Sequence, residues 1–328
     1  MTVKLSIATT DYDHFRDFRT GLVRAEGIEP TWSMLSHHEI FSRFTFNRDW
    51  DVAELSFAKF SAQVTRPDND IIGLPVYCSR LFRFASFYVN RTKGIKTAKD
   101  LRGKRIGVPE WAHTAAVYMR GWLMHEGGVP LSEIEWVQAG TNEAGRIEKV
   151  ELTLPKGVTL RREPEKTLSG MIASSELDCV IIARPPNCFR EKHPDVVRLF
   201  PDFEEMEQRY YQDTRVYPIM HVIALRKVIL DGNPWIARNL LNAFEESKRR
   251  SLERLLDPAV SRYPIPWLAN HARRISEMFG GDPYPYGIEP NRPTLELFLR
   301  YCHEQGIAHR LARPEEIFPP GIMASVKV

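Results

Sequence analysis

A strand–turn–helix unit that restarts near residue 104 constrains the fold of this chain more than any other feature. Residues 104–108 read as a strand, and residues 109–116 open a helix that ends before Gly127. Other strand-length apolar runs lie at 3–8, 51–57, 71–76, 134–137 and 177–182. Strands that alternate with helices favour α/β layers with mainly parallel sheets. The restart therefore predicts a second lobe, in agreement with the two domains that are usual for 328 residues.

Two predicted strands carry the chain between the lobes. Residues 81–90 place Phe82, Phe84 and Tyr88 at period two, which predicts a longer strand that leaves the first lobe. Residues 217–225 read as an apolar strand that returns to it. The predicted lobes are therefore residues 1–98 plus 215–328 for lobe 1 and residues 99–214 for lobe 2. In such folds, ligands bind in the cleft beyond the carboxyl ends of the strands.

Three local patterns predict further elements. A helical pattern runs from the turn at residues 9–14 to about Glu26, and Asp11 or Asp13 suits its N-cap. Residues 150–154 and 158–162 flank a Pro-Lys-Gly turn and predict a hairpin. Residues 234–256 predict a long helix that begins near Pro234, where the missing N–H costs nothing.

Composition and charge exclude several classes of protein. The 45 Lys and Arg against 42 Asp and Glu give a net charge of +3, too little for a nucleic-acid-binding surface. No window approaches the roughly 18 apolar residues of a membrane span. The four cysteines form no Cys-x-x-Cys pair and read as reduced core thiols. The first residues lack the pattern of a secretory signal, so we expect a cytoplasmic protein that binds neither nucleic acid nor membrane.

The short motifs of several enzyme classes are missing from the sequence. There is no His-Glu-x-x-His zinc motif, no glycine-rich phosphate loop and no Gly-x-Ser-x-Gly nucleophile turn. The adjacent pair His37 and His38 should point in different directions on a helix or a strand, which disfavours metal ligation by that pair. The sequence therefore gives no motif support for metal, nucleotide or serine-nucleophile chemistry.

Polar side chains are concentrated at the predicted strand-to-helix corners, where the cleft should lie. They are Asp11, Tyr12, His14, Glu54, Ser56, Arg80, Arg83, Glu110, His113, Thr114, Arg184 and His221. Arginines pair bidentately with carboxylates, and a helix N-terminus favours an anion, so the pattern predicts a small anionic ligand between two lobes. Simpler roles stay open: Asp11 as a helix cap, Arg80 or Arg83 as an ion-pair arginine, His221 as a core histidine.

Four segments give the chain a family resemblance. Residues 95–109, Ile-Lys-Thr-Ala-Lys-Asp-Leu-Arg-Gly-Lys-Arg-Ile-Gly-Val-Pro, look like the crossover segment of type II periplasmic-binding-protein folds. With residues 75–83, 217–222 and 286–301, the chain resembles the 4,5-dihydroxyphthalate decarboxylases over nearly its whole length. The resemblance implies an α/β, two-lobed type II periplasmic-binding-protein-like fold with a ligand cleft between the lobes. It also implies a cytoplasmic enzyme of phthalate breakdown that converts 4,5-dihydroxyphthalate to 3,4-dihydroxybenzoate and CO2.

The resemblance also implies roles for single residues. Arg80 and Arg83 match the family's Ser-Arg-x-Phe-Arg pattern, and Arg184 matches an arginine beside a strand of the second lobe. The remaining matches are Glu110 in Val-Pro-Glu, Thr114 in Thr-Ala-Ala, and Tyr217 and His221 in Tyr-Pro-Ile-Met-His. At His113 the chain departs from the family pattern, so that residue is expected to tune substrate choice.

The expected catalytic set is His221 and Glu110 from these matches and Asp11 from its place at a predicted strand-to-helix corner. His221 would be the general acid or base, because an unperturbed imidazole titrates near the working pH. Glu110 or Asp11 would orient His221 or take the phenol proton. Arg80, Arg83, Arg184, Thr114, His113 and Tyr217 would bind the substrate. At least one of Arg80 and Arg184 is expected to hold the carboxylate that stays.

Three alternatives to this scheme remain open at the level of sequence. The expected enzyme needs no cofactor, because the aromatic ring itself stores the charge, yet a divalent metal bridging the catechol oxygens through Asp11, Glu110 and His221 would also fit. A non-catalytic binding protein for a small anion or an aromatic acid would share the cleft and the arginines. A pyrimidine-precursor synthase of the same fold fits the motifs poorly. The partner is expected to be a small aromatic dicarboxylate, and a homo-oligomer is common among such enzymes.

Overall fold

Two mixed β-sheets organise the chain. The computed structural model describes residues 2–320 and residue 322. The strands are β1 (Val3–Thr9), β2 (Ile28–Met34), β3 (Val52–Ser56), β4 (Ile71–Arg80), β5 (Phe87–Asn90), β6 (Arg105–Val108), β7 (Glu135–Gly140), β8 (Leu160–Thr167), β9 (Cys179–Ile181), β10 (Val196–Arg198) and β11 (Ile219–Arg226). The first sheet has the strand order β2-β1-β3-β11-β4, and the second has the order β10-β5-β9-β6-β7-β8.

Helices cover both sheets. They are α1 (Arg16–Arg19), α2 (His37–Asn47), α3 (Phe57–Val64), α4 (Thr114–His125), α5 (Leu168–Ala173), α6 (Asn187–Arg190), α7 (Phe203–Thr214), α8 (Trp235–Leu256), α9 (Leu268–Met278), α10 (Arg292–Glu304) and α11 (Pro314–Ile317). The longest, α8, follows Pro234 as the sequence predicts. It buries Ile236, Leu240 and Phe244, whose spacing of four residues places them on one face.

The first sheet brings several strand ends to one edge. β1 runs parallel to β2 and β3, whereas β11 runs antiparallel to β3 and β4. Because β11 is antiparallel, it begins beside the residues with which β3 and β4 end. His221 in β11 thus lies opposite Ser56 at the end of β3 and Ser79 near the end of β4. In the second sheet, β6 is parallel to β7 and β9, so those three strands also share a carboxyl-terminal edge.

Three helices begin at these edges. α2 follows β2, α3 follows β3 without a break, and α4 follows β6 after a short turn. Ser36 caps α2 by accepting a hydrogen bond from the Glu39 amide at 3.3 Å. The free N–H groups and positive dipole ends of all three helices therefore lie on the side of the molecule where the strands end.

A continuous hydrophobic core connects the two sheets. Phe298 of α10 stacks on Phe57 of α3 with ring centroids 4.6 Å apart, and its other neighbour is Tyr118 of α4 at 4.5 Å. Because α3 belongs to the first sheet's layers and α4 to the second's, α10 packs against both. Buried Arg120 adds polar contacts, donating to the Gln305 side chain at 2.8 Å and to the Trp111 carbonyl at 2.6 Å.

Several local predictions are wrong. The long strand expected over 81–90 is confined to Phe87–Asn90, because a 3₁₀ turn occupies Phe84–Ser86. The helix expected as far as Glu26 ends at Arg19, before Gly21 with its φ of +78°. Residues 150–154 form no strand, and β8 pairs in parallel with β7, so the predicted hairpin is absent. The sheets are mixed rather than mainly parallel because β5 and β11 enter them antiparallel.

The chain crosses between the sheets earlier than the predicted lobe boundary at residue 98. Phe87–Asn90 pairs with β9 and β10 in the second sheet, and the chain returns to the first sheet with β11 at Ile219. The division of the chain into lobes at 98/99 and 214/215 stays a prediction. No helix within residues 2–320 combines the length and the apolar character that a membrane crossing requires.

Candidate active site

A cleft of about 740 Å³ lies where the strand ends of both sheets face each other. The first sheet contributes His221 and Ser56 together with the start of α2. The second sheet contributes the turn between β6 and α4 and the segment 141–149 that follows β7. This position agrees with the expected ligand site beyond the carboxyl ends of the strands.

A histidine–glutamate pair lies at the first-sheet side of the cleft. His221 Nδ1 lies 2.6 Å from Glu54 Oε1, and the Tyr12 hydroxyl donates to the same oxygen at 2.6 Å. The Thr10 amide donates to Glu54 Oε2 at 2.7 Å. The Glu54 side chain is fully buried, whereas that of His221 is 19% exposed and lines the cleft. An ionised carboxylate only accepts hydrogen bonds, so His221 Nδ1 carries the hydrogen and Nε2 is left for a ligand.

The surroundings of Glu54 keep it ionised. Burial would raise the pKa of Glu54, but the hydrogen bond and charge of His221, with the Tyr12 and Thr10 hydrogen bonds, outweigh burial and lower it. Burial and the neighbouring Glu54 raise the pKa of Tyr12, so its phenol remains protonated. Glu54 is therefore a fixed anion that holds one tautomer of His221.

Two more histidines stand beside His221. The ring of His37 stacks on His221 with centroids 5.7 Å apart and planes 25° apart, and Phe41 meets His221 edge-on at 4.9 Å. The rings of His37 and His38 lie 4.1 Å apart, and both line the cleft. The expectation that these adjacent side chains diverge is therefore wrong. At the first turn of α2 both rings reach the same opening.

A group of cations surrounds Glu110 on the second-sheet side. Its buried carboxylate accepts from Lys59 Nζ at 2.5 Å, Arg146 Nε at 2.7 Å and Lys149 Nζ at 3.2 Å. We call Lys59, Arg146 and Lys149 the cationic cluster. Burial would raise the pKa of Glu110, but the charges of the cluster outweigh burial and hold the pKa well below its ordinary value. Glu110 is thus an anion enclosed by cations.

The segment 141–149 is shaped by a glycine. A Cβ atom on Gly140 would lie 1.7 Å from the carbonyl oxygen of Glu143, so a side chain there would force the turn open. Glu148 Oε2 accepts from the Ala112 amide at 3.1 Å. Together with the bonds of Arg146 and Lys149 to Glu110, this contact fastens the segment against the turn between β6 and α4.

Two further arginines reach the cleft. Arg184 follows β9 and is exposed, and among the described residues it has no hydrogen bond or ion pair. Arg83 is largely buried, and burial lowers the pKa of Arg83 to about 10. Its guanidinium contacts Met220 Sδ at 3.1 Å and the Ala183 carbonyl at 3.5 Å, and the charge of Glu207 acts on it, but within the described residues it forms no ion pair. Both guanidinium groups can therefore receive an anion from the cleft.

The start of α4 contributes His113 and Thr114. The Thr114 hydroxyl lies 2.9 Å from the Ser56 hydroxyl and accepts from the Ala58 amide at 3.1 Å, so it links α4 to the start of α3. His113 is the N-cap residue, and its Nδ1 is buried without a partner in the described structure. Burial, with the nearby charge of Arg146, lowers the pKa of His113 well below its ordinary value.

The structure does not bring all the expected site residues to the cleft. Arg83, Arg184, Glu110, His113, Thr114 and His221 line it. Asp11 lies outside, 69% exposed, and pairs with Arg19 at 3.1 Å. Buried Arg80 donates to Asn291 Oδ1 at 2.7 Å and to the Tyr217 carbonyl at 2.8 Å, while the Tyr217 hydroxyl donates to the Arg80 carbonyl at 3.1 Å. Arg80 and Tyr217 thus fasten the chain behind the cleft.

Sequence reasoning left out several residues that the structure places at the site. Glu54 and Tyr12 stood among the corner residues, but nothing in the sequence pairs them with a histidine that follows 167 positions after Glu54. Lys59, Arg146 and Lys149 had no signal beyond their charge. The one available hint for Glu54 was an acidic residue inside the apolar run at 51–57, which a buried strand tolerates only with a partner.

The residues do not assemble an evident metal centre. The described part of the chain holds no group of three or more His, Cys, Asp or Glu side chains suited to a metal ion. The ligand set of Asp11, Glu110 and His221 is not brought together, because Asp11 lies on the surface and Glu110 is enclosed by the cationic cluster.

Comparisons with known proteins agree with this architecture. No family model matches the chain. A 4,5-dihydroxyphthalate decarboxylase of Comamonas testosteroni is 37% identical over 327 residues and covers 99% of both chains. A protein of the same name from Pseudomonas putida is 40% identical over 211 residues, 64% of this chain and 82% of that protein.

Solved structures with the same architecture share little sequence. The periplasmic aliphatic sulphonate binding protein SsuA of Escherichia coli has a TM-score of 0.55 at 12% identity, covering 98% of this chain and 99% of that chain. The desulfurization enzyme DSZB has a TM-score of 0.51 at 14% identity, covering 98% and 97%. These likenesses confirm the periplasmic-binding-protein-like fold, and the two relatives confirm the family. The chain belongs to the 4,5-dihydroxyphthalate decarboxylase family and is an enzyme, a decarboxylase.

Proposed function

We propose that this decarboxylase converts 4,5-dihydroxyphthalate to 3,4-dihydroxybenzoate and CO2 by general acid–base catalysis in the cleft. One observation carries the proposal: a histidine oriented by a buried carboxylate faces the same cleft as a group of cations. The histidine can take the proton of a catechol hydroxyl, and the cations can bind a dicarboxylate. The names of the two relatives support this substrate.

The charge of the cleft suits a dianion. Lys59, Arg83, Arg146, Lys149 and Arg184 line it, against the two acidic residues Glu110 and Glu143. The N-terminal turns of α2, α3 and α4 add their partial positive charge. The three cations of the cationic cluster already donate hydrogen bonds to Glu110. We therefore assign the binding of a substrate carboxylate to Arg184 and Arg83.

The hydroxyl end of the substrate would lie at His221. Each carboxylate of 4,5-dihydroxyphthalate is para to one hydroxyl, so removing that hydroxyl's proton sends electron density to the carbon that bears the carboxylate. His221 Nε2 is the free ring nitrogen that would take the proton. Glu54 stabilises the imidazolium that results. Hydrogen bonds from the Tyr12 hydroxyl and the Thr10 amide keep the Glu54 carboxylate in position beside it.

The two carboxylates of the substrate need different surroundings. An arginine held tightly on the departing carboxylate would stabilise the ground state more than the transition state, where that charge is disappearing. We therefore assign the carboxylate that stays to Arg184. The departing carboxylate would face apolar side chains of the cleft, among which are Phe41 and Leu81.

We also propose that the chain forms two lobes that close over the substrate, one built on each sheet, for which the sequence predicts the division into residues 1–98 plus 215–328 and residues 99–214. The lobe joint would lie nearer Phe87, where the chain enters the second sheet. Closure would exclude water and strengthen the contacts in the cleft. The cytoplasm is the proposed compartment, because Cys78, Cys179, Cys188 and Cys302 are all buried and free, as in reduced proteins.

The decisive experiment is a turnover assay with 4,5-dihydroxyphthalate, with and without EDTA, that follows CO2 and 3,4-dihydroxybenzoate. We expect turnover that EDTA leaves unchanged. If turnover is lost with EDTA and restored by a divalent ion, the proposed reaction stands, but a metal-dependent mechanism replaces the proposed acid–base mechanism. No turnover, together with turnover of a neighbouring aromatic acid, would reassign the substrate. Thermal stabilisation by the compound without any turnover would point to a binding role.

The role of His221 is tested in the same assay. His221→Asn should lower kcat roughly 10²–10⁴-fold with KM little changed, since the variant lacks the proton acceptor. His125→Asn is a matched control, because His125 Nε2 also pairs with a glutamate, Glu304, at 2.7 Å, and neither residue lines the cleft. An H221N enzyme with wild-type kcat would remove His221 from the mechanism.

A further inference from the structure

Decarboxylation of a catechol acid requires proton transfer at two places on one ring. The hydroxyl loses its proton in the plane of the ring, to a base beside the oxygen. The carbon that bears the departing carboxylate gains a proton from above or below the ring, where the π electrons are. One imidazole cannot reach both positions at the same time, so a second group is needed. Neither expected candidate serves: Asp11 lies outside the cleft and Glu110 is an enclosed anion.

His37 stands where such a group is needed. It begins α2, lines the cleft, and stacks on His221 with planes 25° apart. Within the described residues its ring nitrogens make no hydrogen bond, so they are available to a ligand. Phe41, one turn further along α2, packs edge-on against both imidazoles and fixes their mutual position.

Charged groups from both walls of the cleft act on His37. From the first sheet these are His221 and Glu54, the pair that would bind the hydroxyl. From the second sheet they are Arg184 and Arg146, which line the same cleft. The titratable and charged groups that face His37 are His38, His221, Glu54, Arg146 and Arg184. A ring carbon para to the hydroxyl would lie in this intermediate position.

We propose that His37 is a second catalytic residue, the general acid that delivers a proton to the ring carbon that loses its carboxylate. This inference rests on the proposed function. It deepens that function by dividing the two proton transfers between two stacked histidines, His221 for the oxygen and His37 for the carbon.

The proposed reaction consists of two proton transfers and the cleavage of one carbon–carbon bond. The hydroxyl proton moves to His221 Nε2, and the oxygen's electron pair enters the ring toward the para carbon. An N–H bond of protonated His37 breaks as a C–H bond forms at that carbon. The bond from the carbon to the carboxylate then breaks, its electron pair restores the aromatic ring and CO2 leaves. The proton on His221 returns to the oxygen, and solvent reprotonates His37. The reaction consumes one proton.

Substrate binding itself would help to load His37 with its proton. Burial, together with the charges of His221, Arg184 and Arg146, lowers the pKa of His37 to about 4. A bound dianion compensates the two arginines and so removes part of the cause of that low pKa. Once protonated, a histidine of low pKa is a strong acid, which protonation of carbon demands.

The first test compares His37→Asn with His125→Asn, a histidine outside the cleft lining. H37N should lower kcat roughly 10²–10⁴-fold with little change in KM, whereas H125N should keep the kcat of the wild type. Thermal unfolding of each variant shows whether it is folded, and His37→Gln serves if H37N is not. Wild-type turnover establishes the proposed function first. If the wild type turns over and folded H37N retains its kcat, the inference is overturned and the function stands.

The second test isolates the carbon step from the loss of CO2. In D2O, a deuterated His37 that delivers a deuteron to the vacated carbon of bound 3,4-dihydroxybenzoate can take back the original hydrogen, so the enzyme should exchange that ring hydrogen, which proton NMR detects. H37N should lose this exchange as it loses kcat, and H125N should keep it. A variant H37N with slow turnover but wild-type exchange would show that His37 only positions other groups, which would overturn the proposal.

Discussion

Two glutamates at the cleft are equally buried and have opposite partners. Glu54 is held by His221, Tyr12 and one backbone amide, and Glu110 is held by Lys59, Arg146 and Lys149. Both pKa values are lowered although burial opposes ionisation. The partners of Glu54 include an imidazole whose second ring nitrogen faces the cleft, whereas those of Glu110 are two ammonium groups and a guanidinium that bind the carboxylate directly. The burial of a carboxylate therefore does not identify its role. Its role depends on whether its partners can exchange a proton with the substrate.

The largest effect on turnover expected from this comparison is at Glu54. Glu54→Gln keeps the shape but loses the charge that stabilises a protonated His221, and its amide can hold the wrong tautomer. We expect kcat to fall roughly 10²–10⁴-fold, as for other losses of acid–base function. Asp11→Asn is the matched control, because the exposed pair of Asp11 with Arg19 lies outside the cleft. Equal kcat values for E54Q and wild type would contradict the assignment of a catalytic role to Glu54 and not to Glu110.

The complementary effect, on stability, is expected at Glu110. Glu110→Gln leaves three cations close together without their anion, and removal of one partner of a buried ion pair costs about 3 kcal/mol. Urea unfolding followed by fluorescence measures the difference. E54Q is expected to lose less stability than E110Q, since its amide can still hydrogen-bond with Tyr12 and His221.

The stability difference between E110Q and wild type also has a predicted pH dependence. The pKa of Glu110 is lower in the folded chain than its ordinary value of 4.5, so its contribution is complete above that value. It is lost as the pH falls from about 4.5 toward the folded-state pKa. The two proteins should thus differ most near pH 7 and converge in acid. A difference that grows in acid would contradict the assignment of Glu110 as a fixed anion.

Smaller effects, on KM and on stability, should distinguish Arg184 from Arg80, which the sequence analysis assigns to the same role in substrate binding. Arg184→Ala should raise KM about tenfold with kcat nearly unchanged, because one charge-assisted contact to substrate is lost. Arg80→Ala should instead lower the free energy of unfolding, since Arg80 is buried against Asn291 and the Tyr217 carbonyl. Steady-state kinetics and urea unfolding of both variants check the contrast. An R184A enzyme with unaltered KM would exclude the proposed carboxylate contact.

Local patterns predicted the fold better than they predicted the site. The strand at 104–108, the helix from Pro234 and the returning strand near 217–225 follow from the periodicity of apolar residues. The hairpin at 150–162 failed because strand-like composition does not specify the partner, and β8 pairs with β7 instead. Family motifs marked His221, Arg184 and Glu110, all of which reach the cleft.

The partners within the site could not be read from the sequence. Arg80 and Arg83 are three positions apart and match one motif, yet one is buried behind the cleft and the other lines it. Glu54 is joined to His221 only because β11 pairs with β3 in antiparallel register. Contacts of this kind depend on tertiary pairing across long stretches of chain, and no local periodicity encodes them.

The placement of β11 has a consequence for how the protein is made. Val52–Ser56 needs β11 as its neighbour, but the ribosome releases β11 only after the entire second sheet has been synthesised. Until then the nascent first sheet exposes the edge of an apolar strand, and Glu54 lacks its imidazole. A chain that stops before Ile219 would contain both glutamates and still have no proton acceptor. We therefore expect the first sheet to complete its folding late in synthesis, after β11 has left the ribosome.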